Sequence, residues 1–156
     1  MTISAAIKAA TTTRNSTTTL TADPDLVMAL SANTNYIVRL DLNITAAQVP
    51  DFKFRLDFDG TITRAVGWML SNNSIGASTS AGTTLYTAID STFLNTTETV
   101  IGGSASAPTH IAVISIVLVI AVGASGGNFS FMWAQNTSDA GNTSVLAGSG
   151  MSIQNV

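Results

Sequence analysis

The stretch Tyr36 to Thr45, YIVRLDLNIT, alternates apolar and polar residues, and Phe52 to Gly60, FKFRLDFDG, repeats the pattern one short loop later. Side chains of a β-strand point alternately to opposite faces of its sheet, so this pattern buries one face and exposes the other. The buried set is aromatic and aliphatic, whereas the exposed set carries most of the charges in these segments. The two stretches therefore predict strands of an antiparallel two-sheet β-sandwich.

Short apolar or alternating segments, separated by turn-forming residues, continue from Thr17 to Val156. They amount to about nine or ten strands without a convincing long helix, the count expected for a jelly roll or a related sandwich. Asp23-Pro24-Asp25 is predicted to form a corner, because proline fixes φ and aspartate hydrogen-bonds to its own backbone. The sequence thus predicts an all-β, antiparallel, jelly-roll-like sandwich domain at residues 17–156.

Residues 1–16 form a predicted N-terminal arm, because their alanines and threonines provide no apolar face wide enough for a core. The segment AAIKAA is short enough to form one or two helical turns. Such an arm either orders on a neighbouring subunit or packs as a tail on its own domain, and the sequence leaves both open. In the first case, the residues expected to contact a neighbouring subunit are Ile3, Ile7, Lys8 and Arg14.

The segment Ile111 to Val122, IAVISIVLVIAV, is apolar at every position but Ser115. It is too short for a membrane-spanning helix, which needs about 20 apolar residues, and its β-branched residues favour a strand. A strand apolar on both faces is expected to be covered on both, so we predict that a second subunit covers the outer one. The expected interface residues are Ile111, Val113, Ile116, Leu118 and Ile120. Coverage by the N-terminal arm is the alternative.

Charged residues make up only 10% of the chain, against about 25% in a typical soluble domain. A surface with so little charge favours a homo-oligomer, although hydroxyl and amide groups facing water would also account for it. The net charge of −3 argues against nucleic-acid binding, which needs a basic surface, and no membrane partner is expected. Cysteine is absent, so neither a disulfide framework nor a thiolate metal site is available.

Residues suited to catalysis are scarce, because His110 is the one histidine and Glu98 the one glutamate of the sequence. We therefore expect no enzyme activity and no cofactor, with His110 an ordinary surface or interface residue. Asp57 and Asp59 share a strand face and are weak candidates for a calcium site, since carboxylate oxygens suit that ion. A hairpin turn would also place Asp and Gly there, so a metal site is not the favoured interpretation.

The aromatic residues allow two interpretations. Trp68, Trp133, Phe129 and Phe131 would suit an exposed platform for sugars, but alternating aromatic residues on a strand usually fill a sandwich core. Placement in the core is therefore predicted.

Three blocks of the sequence, covering most of the chain beyond Leu20, resemble jelly-roll structural proteins of tailed bacteriophage virions. They are LTADPDLVMALSANTNYIVRLDLNI at Leu20–Ile44, PDFKFRLDFDG at Pro50–Gly60 and FSFMWAQNTSDAGNTSVLAGSGMSI at Phe129–Ile153. The resemblance is to head decoration (cement) proteins, head fibres and tail-fibre modules. Because such sandwiches are commonly trimeric, it implies a homotrimer, and it supplies no catalytic residues.

A single domain with a short arm favours a decoration protein over a fibre, so the expected function is non-enzymatic capsid stabilisation. The expected partners are further copies of the chain and the major capsid protein, and the expected location is the capsid surface after synthesis in the host cytoplasm. The arm residues expected to bind the capsid are Ile3, Ile7, Lys8 and Arg14. The alternative is a receptor- or carbohydrate-binding module that uses the loops Ser71–Gly82 and Ser91–Thr97. A polysaccharide depolymerase ranks third, because such enzymes need paired acids in a groove.

Overall fold

The computed structural model describes residues 2–72, 84–107 and 110–156, and these residues contain twelve β-strands. The strands are β1 (Ile3–Ile7), β2 (Thr12–Arg14), β3 (Thr21–Leu30), β4 (Asn35–Ala46), β5 (Phe52–Phe58), β6 (Ile62–Asn72), β7 (Thr84–Asp90), β8 (Thr99–Ile101), β9 (Ala112–Val122), β10 (Gly127–Ala134), β11 (Thr143–Val145) and β12 (Gly150–Asn155). No helix in these ranges is long and apolar enough to cross a membrane.

The strands form two antiparallel sheets. The large sheet has eight strands, in the order β1-β12-β4-β9-β6-β7, with β11 pairing β4 and β2 pairing β11 beside this path. The small sheet has the order β3-β10-β5-β8. The prediction of an all-β, antiparallel two-sheet sandwich is therefore confirmed, with twelve strands in place of nine or ten.

The core lies between the two sheets and follows the alternation of the sequence. In β4 the inward residues Val38, Leu40 and Leu42 are fully buried, and in β5 the same holds for Phe52, Phe54 and Leu56. The two strands lie in different sheets, so their apolar faces meet across the core instead of side by side. Burying such side chains stabilises a fold by about 1.5–3 kcal/mol each before entropic costs.

An aromatic cluster fills one end of this core. The rings of Phe52 and Trp133 stack with centroids 5.6 Å apart, and those of Phe54 and Phe131 are tilted at 5.4 Å. The core placement of Phe129, Phe131 and Trp133 is confirmed, because all three are fully buried. These residues belong to the small sheet and form its inner surface.

Two local predictions are wrong. Asp23-Pro24-Asp25 lies inside β3, where the register between β3 and β10 shifts, and is not a corner between strands. The backbone N–H of Asp25 donates to Asp23 Oδ1, so the aspartate stabilises a local irregularity of the strand. The AAIKAA segment is not helical, because its first half belongs to β1, which pairs with β12, and its second half is irregular.

Candidate functional site

The outer face of the large sheet is its surface turned away from the small sheet. Residues paired directly across neighbouring strands point to the same face, so the register identifies its members. Three rows run across it: Ile3, Gln154, Ile37, Val119 and Val66, then Ala5, Ser152, Arg39, Val117 and Trp68, then Ile7, Gly150, Asp41, Ser115 and Leu70. A further position, Val113, pairs with Asn43. We call this set the outer face.

The outer face is rich in exposed apolar side chains. The described part of the chain has eleven exposed large hydrophobic residues, and six of them lie here: Ile3, Ile7, Val66, Leu70, Val113 and Val119. A shallow hollow lined by Val66, Val119 and Val156, with Asn35 and the charged Arg64, lies at one end of the face. Exposed apolar side chains gathered on one face are typical of an interaction surface.

The residues predicted for a subunit interface divide between the two faces of β9. Ile116, Leu118 and Ile120 are fully buried in the core of their own chain, because they alternate with the outward residues. This corrects the interface set, since these three side chains are not accessible to a second subunit. Ile111 and Val113 are half exposed and remain accessible. Within a single chain β9 is therefore buried on its inner face only, and its outer face is exposed or partly exposed.

Two opposite charges lie among the apolar residues of the outer face. Arg39 and Asp41 are neighbouring outward positions on β4 and are both exposed. Asp41 Oδ1 accepts a hydrogen bond of 2.8 Å from Ser115 Oγ on β9, which fixes the carboxylate in place. The central part of the face therefore offers one positive and one negative group to a partner.

Trp68 is a further member of the outer face. It pairs with Val117 on β9 and with Ala88 on β7 and is partly exposed. Its predicted place in the core is therefore wrong, because its position in the strand has the opposite parity to the buried Met69.

The predicted N-terminal arm is part of the large sheet. β1 pairs with β12 and β2 pairs with β11, so residues 3–7 and 12–14 lie on the domain of their own chain. Ile3 and Ile7 are 62% and 71% exposed and belong to the outer face. If Ile3 and Ile7 contact another subunit, they do so as exposed residues of the edge strand β1, because this segment is not a free arm.

The two cations predicted for the arm make contacts within the chain. The Lys8 side chain is fully buried, with Nζ 2.8 Å from Asp23 Oδ1 and 2.9 Å from Asp25 Oδ2. The Arg14 guanidinium stacks on the Trp133 ring at 4.0 Å and donates hydrogen bonds to the carbonyls of Ala22 and Trp133. Burial lowers the pKa of Arg14, and the negative charge of Asp23 partly offsets that shift. The predicted capsid contact of Lys8 is therefore wrong, because its side chain is enclosed. Arg14 makes contacts within the chain but is only partly buried, so its predicted contact stays a prediction.

The two carboxylates that were candidates for a calcium site, Asp57 and Asp59, accept hydrogen bonds from other groups of the chain. Asp57 Oδ1 accepts from Arg55 at 3.0 Å, and Asp59 Oδ1 accepts from the backbone N–H of Asn128 at 2.5 Å. Across the described ranges, no group of three or more His, Cys, Asp or Glu side chains is placed to hold a metal ion. The structure therefore does not assemble Asp57 and Asp59 into a shared site.

A cavity of about 470 Å³ opens where β2, β11 and the end of β4 meet the loop at Ala107. Its walls are uncharged and include Thr11, Thr13, Thr45, Ala47, Asn142 and Ser144. Thr13 and Ser144 hydrogen-bond through their hydroxyls at 2.9 Å, whereas the buried hydroxyl of Thr45 has no hydrogen-bond partner. A buried polar group without a partner costs about 1–3 kcal/mol, so the cavity holds an unsatisfied hydroxyl.

The two loops considered for recognition differ in what the structure describes. Most of Ser71–Gly82 lies outside the described residues. In Ser91–Thr97, Phe93 and Leu94 are buried, and Asn95 accepts from the N–H and donates to the carbonyl of Phe58. Hydrogen bonds from the Thr92 side chain and backbone lower the pKa of Asp90 at the start of this loop. Asn95 therefore fixes the loop to β5, and the exposed residues of the loop are Ser91, Thr92, Asn95 and Thr96.

His110 Nδ1 lies 3.0 Å from Ser104 Oγ, and the N–H of Ser106 donates to the same oxygen at 3.1 Å. In the described part of the chain no carboxylate is hydrogen-bonded to His110. Ser104 and His110 therefore contact each other without a third triad member among the residues that the structure describes.

No protein-family model matches the chain, and no curated protein matches it. Among solved structures it is similar to a chain in the structure of infectious bursal disease virus Gx strain, with 11% sequence identity and a TM-score of 0.21. The aligned region covers 99% of this chain and 40% of the viral one. A likeness at this TM-score carries no argument about function.

Sequence reasoning missed the charged cluster around Lys8 and most of the outer face. Ile37 alone carried a usable signal, because it lies on the same strand as Arg39 and Asp41 and has their parity. Val117 and Val119 are placed on this face by the register of β9 with β4, which the sequence does not give. The cluster carried no such signal. Lys8 and Asp23 are 15 residues apart and meet only because β1 and β3 lie in different sheets.

Proposed function

We propose that this chain is a non-enzymatic structural protein of a virion, which binds the outside of the capsid as a homotrimer and stabilises it as a decoration (cement) protein. The observation that carries the proposal is the outer face, where six exposed large hydrophobic residues surround one Arg–Asp pair. The sequence blocks that resemble phage virion proteins support a role in the virion. The outer face supports self-association, because it offers an exposed apolar surface.

Self-association removes this apolar surface from water. Each Å² of apolar area buried contributes roughly 25 cal/mol before the costs of association, and a standard interface buries about 800 Å² per partner. The face also carries its own complementary charges, because Arg39 of one copy can pair with Asp41 of the next. Copies of this chain are therefore a chemically suitable cover for the outer face, with Ile3 and Ile7 at its edge.

Stabilisation of the capsid follows from mass action. A trimer that binds the assembled shell but not its free subunits lowers the free energy of the assembled state. Because all its subunits bind together, the trimer also binds more tightly than a single copy would. Trimer formation and capsid binding are therefore coupled in this proposal.

Val119→Glu tests the proposal. Val119 lies on β9, an inner strand of the large sheet, and is 42% exposed on the outer face of the single chain. A glutamate there would be buried against apolar groups of another copy, so we expect the dissociation constant of the oligomer to rise about 30-fold, which is ~2 kcal/mol. Sedimentation equilibrium of the purified protein measures this change.

The matched control is Val100→Glu, since Val100 is also 42% exposed but lies on the small sheet beside Lys53. We expect it to remain trimeric. The second measurement is binding of each purified protein to capsids from which this protein has been removed. Wild type and Val100→Glu should co-sediment with them and raise their melting temperature, whereas Val119→Glu should do so weakly. A monomeric wild type, or equal capsid binding by all three proteins, contradicts the proposal.

The second candidate function is binding of an uncharged, hydroxyl-bearing ligand such as a sugar in the cavity beside Thr45. The unpaired buried hydroxyl of Thr45 and the uncharged cavity walls, which combine threonine and asparagine side chains with apolar ones, are the observations that favour it. A neutral polyol would hydrogen-bond to Thr45 without having to neutralise a charge.

Thr45→Val separates the two candidates. If the cavity is only structural, removing an unpaired hydroxyl should raise the free energy of unfolding by about 1 kcal/mol, which is the expected result. Thr143→Val is the control, because the Thr143 hydroxyl is equally buried but donates to the Asp51 carbonyl at 3.1 Å. Its loss should lower stability by about 1 kcal/mol. Glycan-array binding that disappears in Thr45→Val would instead establish the sugar-binding function.

A further inference from the structure

Lys8 is the most completely enclosed cation in the described part of the chain. Its side chain is 0% exposed, and Nζ contacts three oxygens: Asp23 Oδ1 at 2.8 Å, Asp25 Oδ2 at 2.9 Å and Thr12 Oγ1 at 2.9 Å. Asp23 is equally enclosed, whereas Asp25 is 44% exposed. An amine and a carboxylate are therefore held in contact away from water, with a second carboxylate open to solvent beside them.

The Asp23 carboxylate is held by further donors. Trp133 Nε1–H donates to Oδ2 at 3.0 Å, and the backbone N–H of Asp25 donates to Oδ1 at 3.1 Å. These donors fix the carboxyl group relative to Nζ and withdraw charge from its oxygens. Donors arranged in this way stabilise the negative charge that develops on oxygen when a nucleophile adds to a carboxyl carbon.

We propose that Lys8 and Asp23 condense spontaneously to an intramolecular isopeptide bond, with Asp25 as the proton carrier. Asp25 accepts one proton from the Lys8 ammonium, the neutral Nζ then attacks Cγ of Asp23 so that a C–N bond forms, and one C–O bond of the carboxyl group breaks. The Lys8 ammonium and the Asp23 carboxylate together give one amide and one water. Two protons leave the nitrogen by way of Asp25 and depart with the Asp23 oxygen, so charge and atoms balance without any added reactant.

Proximity and burial favour this condensation. Amide formation from free acids and amines is unfavourable in water, but groups held in contact react with effective molarities of roughly 10⁵–10⁸ M. The enclosed site also excludes bulk water, and the amide replaces a buried ion pair whose desolvation is costly. Asp25 contacts the attacking nitrogen directly, and its exposed side lets the water leave.

The other Lys–carboxylate pair in the described residues provides a comparison. Lys53 Nζ lies 3.3 Å from Glu98 Oε2, and these side chains are 14% and 45% exposed. No second carboxylate contacts Lys53 there. This pair is neither enclosed nor contacted by a second carboxylate, so we expect it to remain an ordinary ion pair.

The proposed bond would fasten the N-terminal segment to the opposite sheet. Lys8 follows β1 of the large sheet, whereas Asp23 belongs to β3 of the small sheet. A covalent link between them would prevent β1 from separating from the domain independently of β3. As with a disulfide, a link that closes a loop of about 15 residues restricts the unfolded chain.

Intact-mass spectrometry of the purified wild-type chain tests the proposal. The expected result is a mass lower than that of the sequence by one water. Trypsin should cleave after Arg14 and Arg39 but not after Lys8, so residues 1–14 should appear joined to residues 15–39. Cleavage after Lys53 should remain normal. A mass equal to that of the sequence, in folded protein, overturns the proposal without any variant.

Asp25→Asn tests the role of the proton carrier. The variant keeps Lys8 and Asp23, and we expect the linked fraction to form about 100-fold more slowly, so fresh protein should have the unlinked mass. Asp57→Asn is the control, because it removes a carboxylate paired with Arg55 elsewhere. It should be fully linked. If Asp25→Asn forms the link at the wild-type rate, the proposed role of Asp25 is overturned. If Asp57→Asn is linked while folded Asp25→Asn is not, the role is supported.

Discussion

Trp133→Ala is expected to lower the free energy of unfolding by about 5 kcal/mol. Trp133 is fully buried, and its ring stacks on that of Phe52 with the centroids 5.6 Å apart. The Cζ atom of Arg14 lies 4.0 Å from the Trp133 ring centroid. Truncating a buried aromatic residue to alanine costs about 3–5 kcal/mol. The loss of the Nε1–H bond leaves Asp23 Oδ2 without this donor and adds about 1 kcal/mol. Urea unfolding at one fixed protein concentration measures the change.

Trp133→Phe is the control that separates packing from hydrogen bonding. Phenylalanine keeps an aromatic ring against Phe52 but loses the indole N–H, so we expect a cost of about 2 kcal/mol. A domain is stable by about 5–15 kcal/mol, so the alanine variant should be partly unfolded or close to it, while the phenylalanine variant should fold. Equal stability of the two variants would show that ring packing does not dominate at this position.

Gly67→Ala is expected to destabilise the large sheet by about 3 kcal/mol. Gly67 lies on β6, where the backbone of β9 approaches so closely that a Cβ would overlap the Val117 carbonyl oxygen and lie 2.8 Å from the Leu118 Cα. The neighbouring atoms belong to the backbone and cannot rotate away as a side chain would. The two strands must therefore separate, and ladder hydrogen bonds weaken. The midpoint of urea unfolding reports this loss.

Gly148→Ala is the matched control, because nothing lies within 4 Å of the position that its Cβ would occupy. Gly148 has a φ of +84°, so alanine there is strained only by its own backbone conformation. The expected cost is about 1 kcal/mol. If Gly148→Ala were as destabilising as Gly67→Ala, the close approach of β6 and β9 would not be the reason for glycine at position 67.

The alternation in β4 and β5 was enough to predict the sandwich. It identified the inward residues correctly, because a side-chain period of two leaves no other way to bury Leu40 or Phe54. The continuous apolar run of β9 was harder to interpret. Periodicity alone did not indicate which half of the residues faces the core, and so Ile116, Leu118 and Ile120 were assigned to an interface. Their parity relative to β4 decides the question, and that depends on strand register.

The N-terminal segment shows a different limit. Its alanines and threonines have weak preferences of their own, and β1 is a strand because the edge of β12 offers free hydrogen-bonding groups. Lys8 is buried because Asp23, Asp25 and Thr12 surround its nitrogen. Neither property belongs to the local sequence. The small-residue composition therefore suggested a free arm where the structure has two edge strands.

The sequence by itself determined the class of fold, the inward residues of β4, β5 and β10, and the shortage of groups suited to catalysis, because these depend on residue type and on a period of two. The tertiary structure alone decided the outer face, the Lys8–Asp23–Asp25 cluster and the cavity beside Thr45. Each of these joins residues from strands distant in the chain, and the register between strands is set by the packing of the whole sandwich. The alternating stretch Tyr36 to Thr45 therefore defines the sheet, and the pairing of β4 with β9 and β12 defines the surface that we propose for assembly.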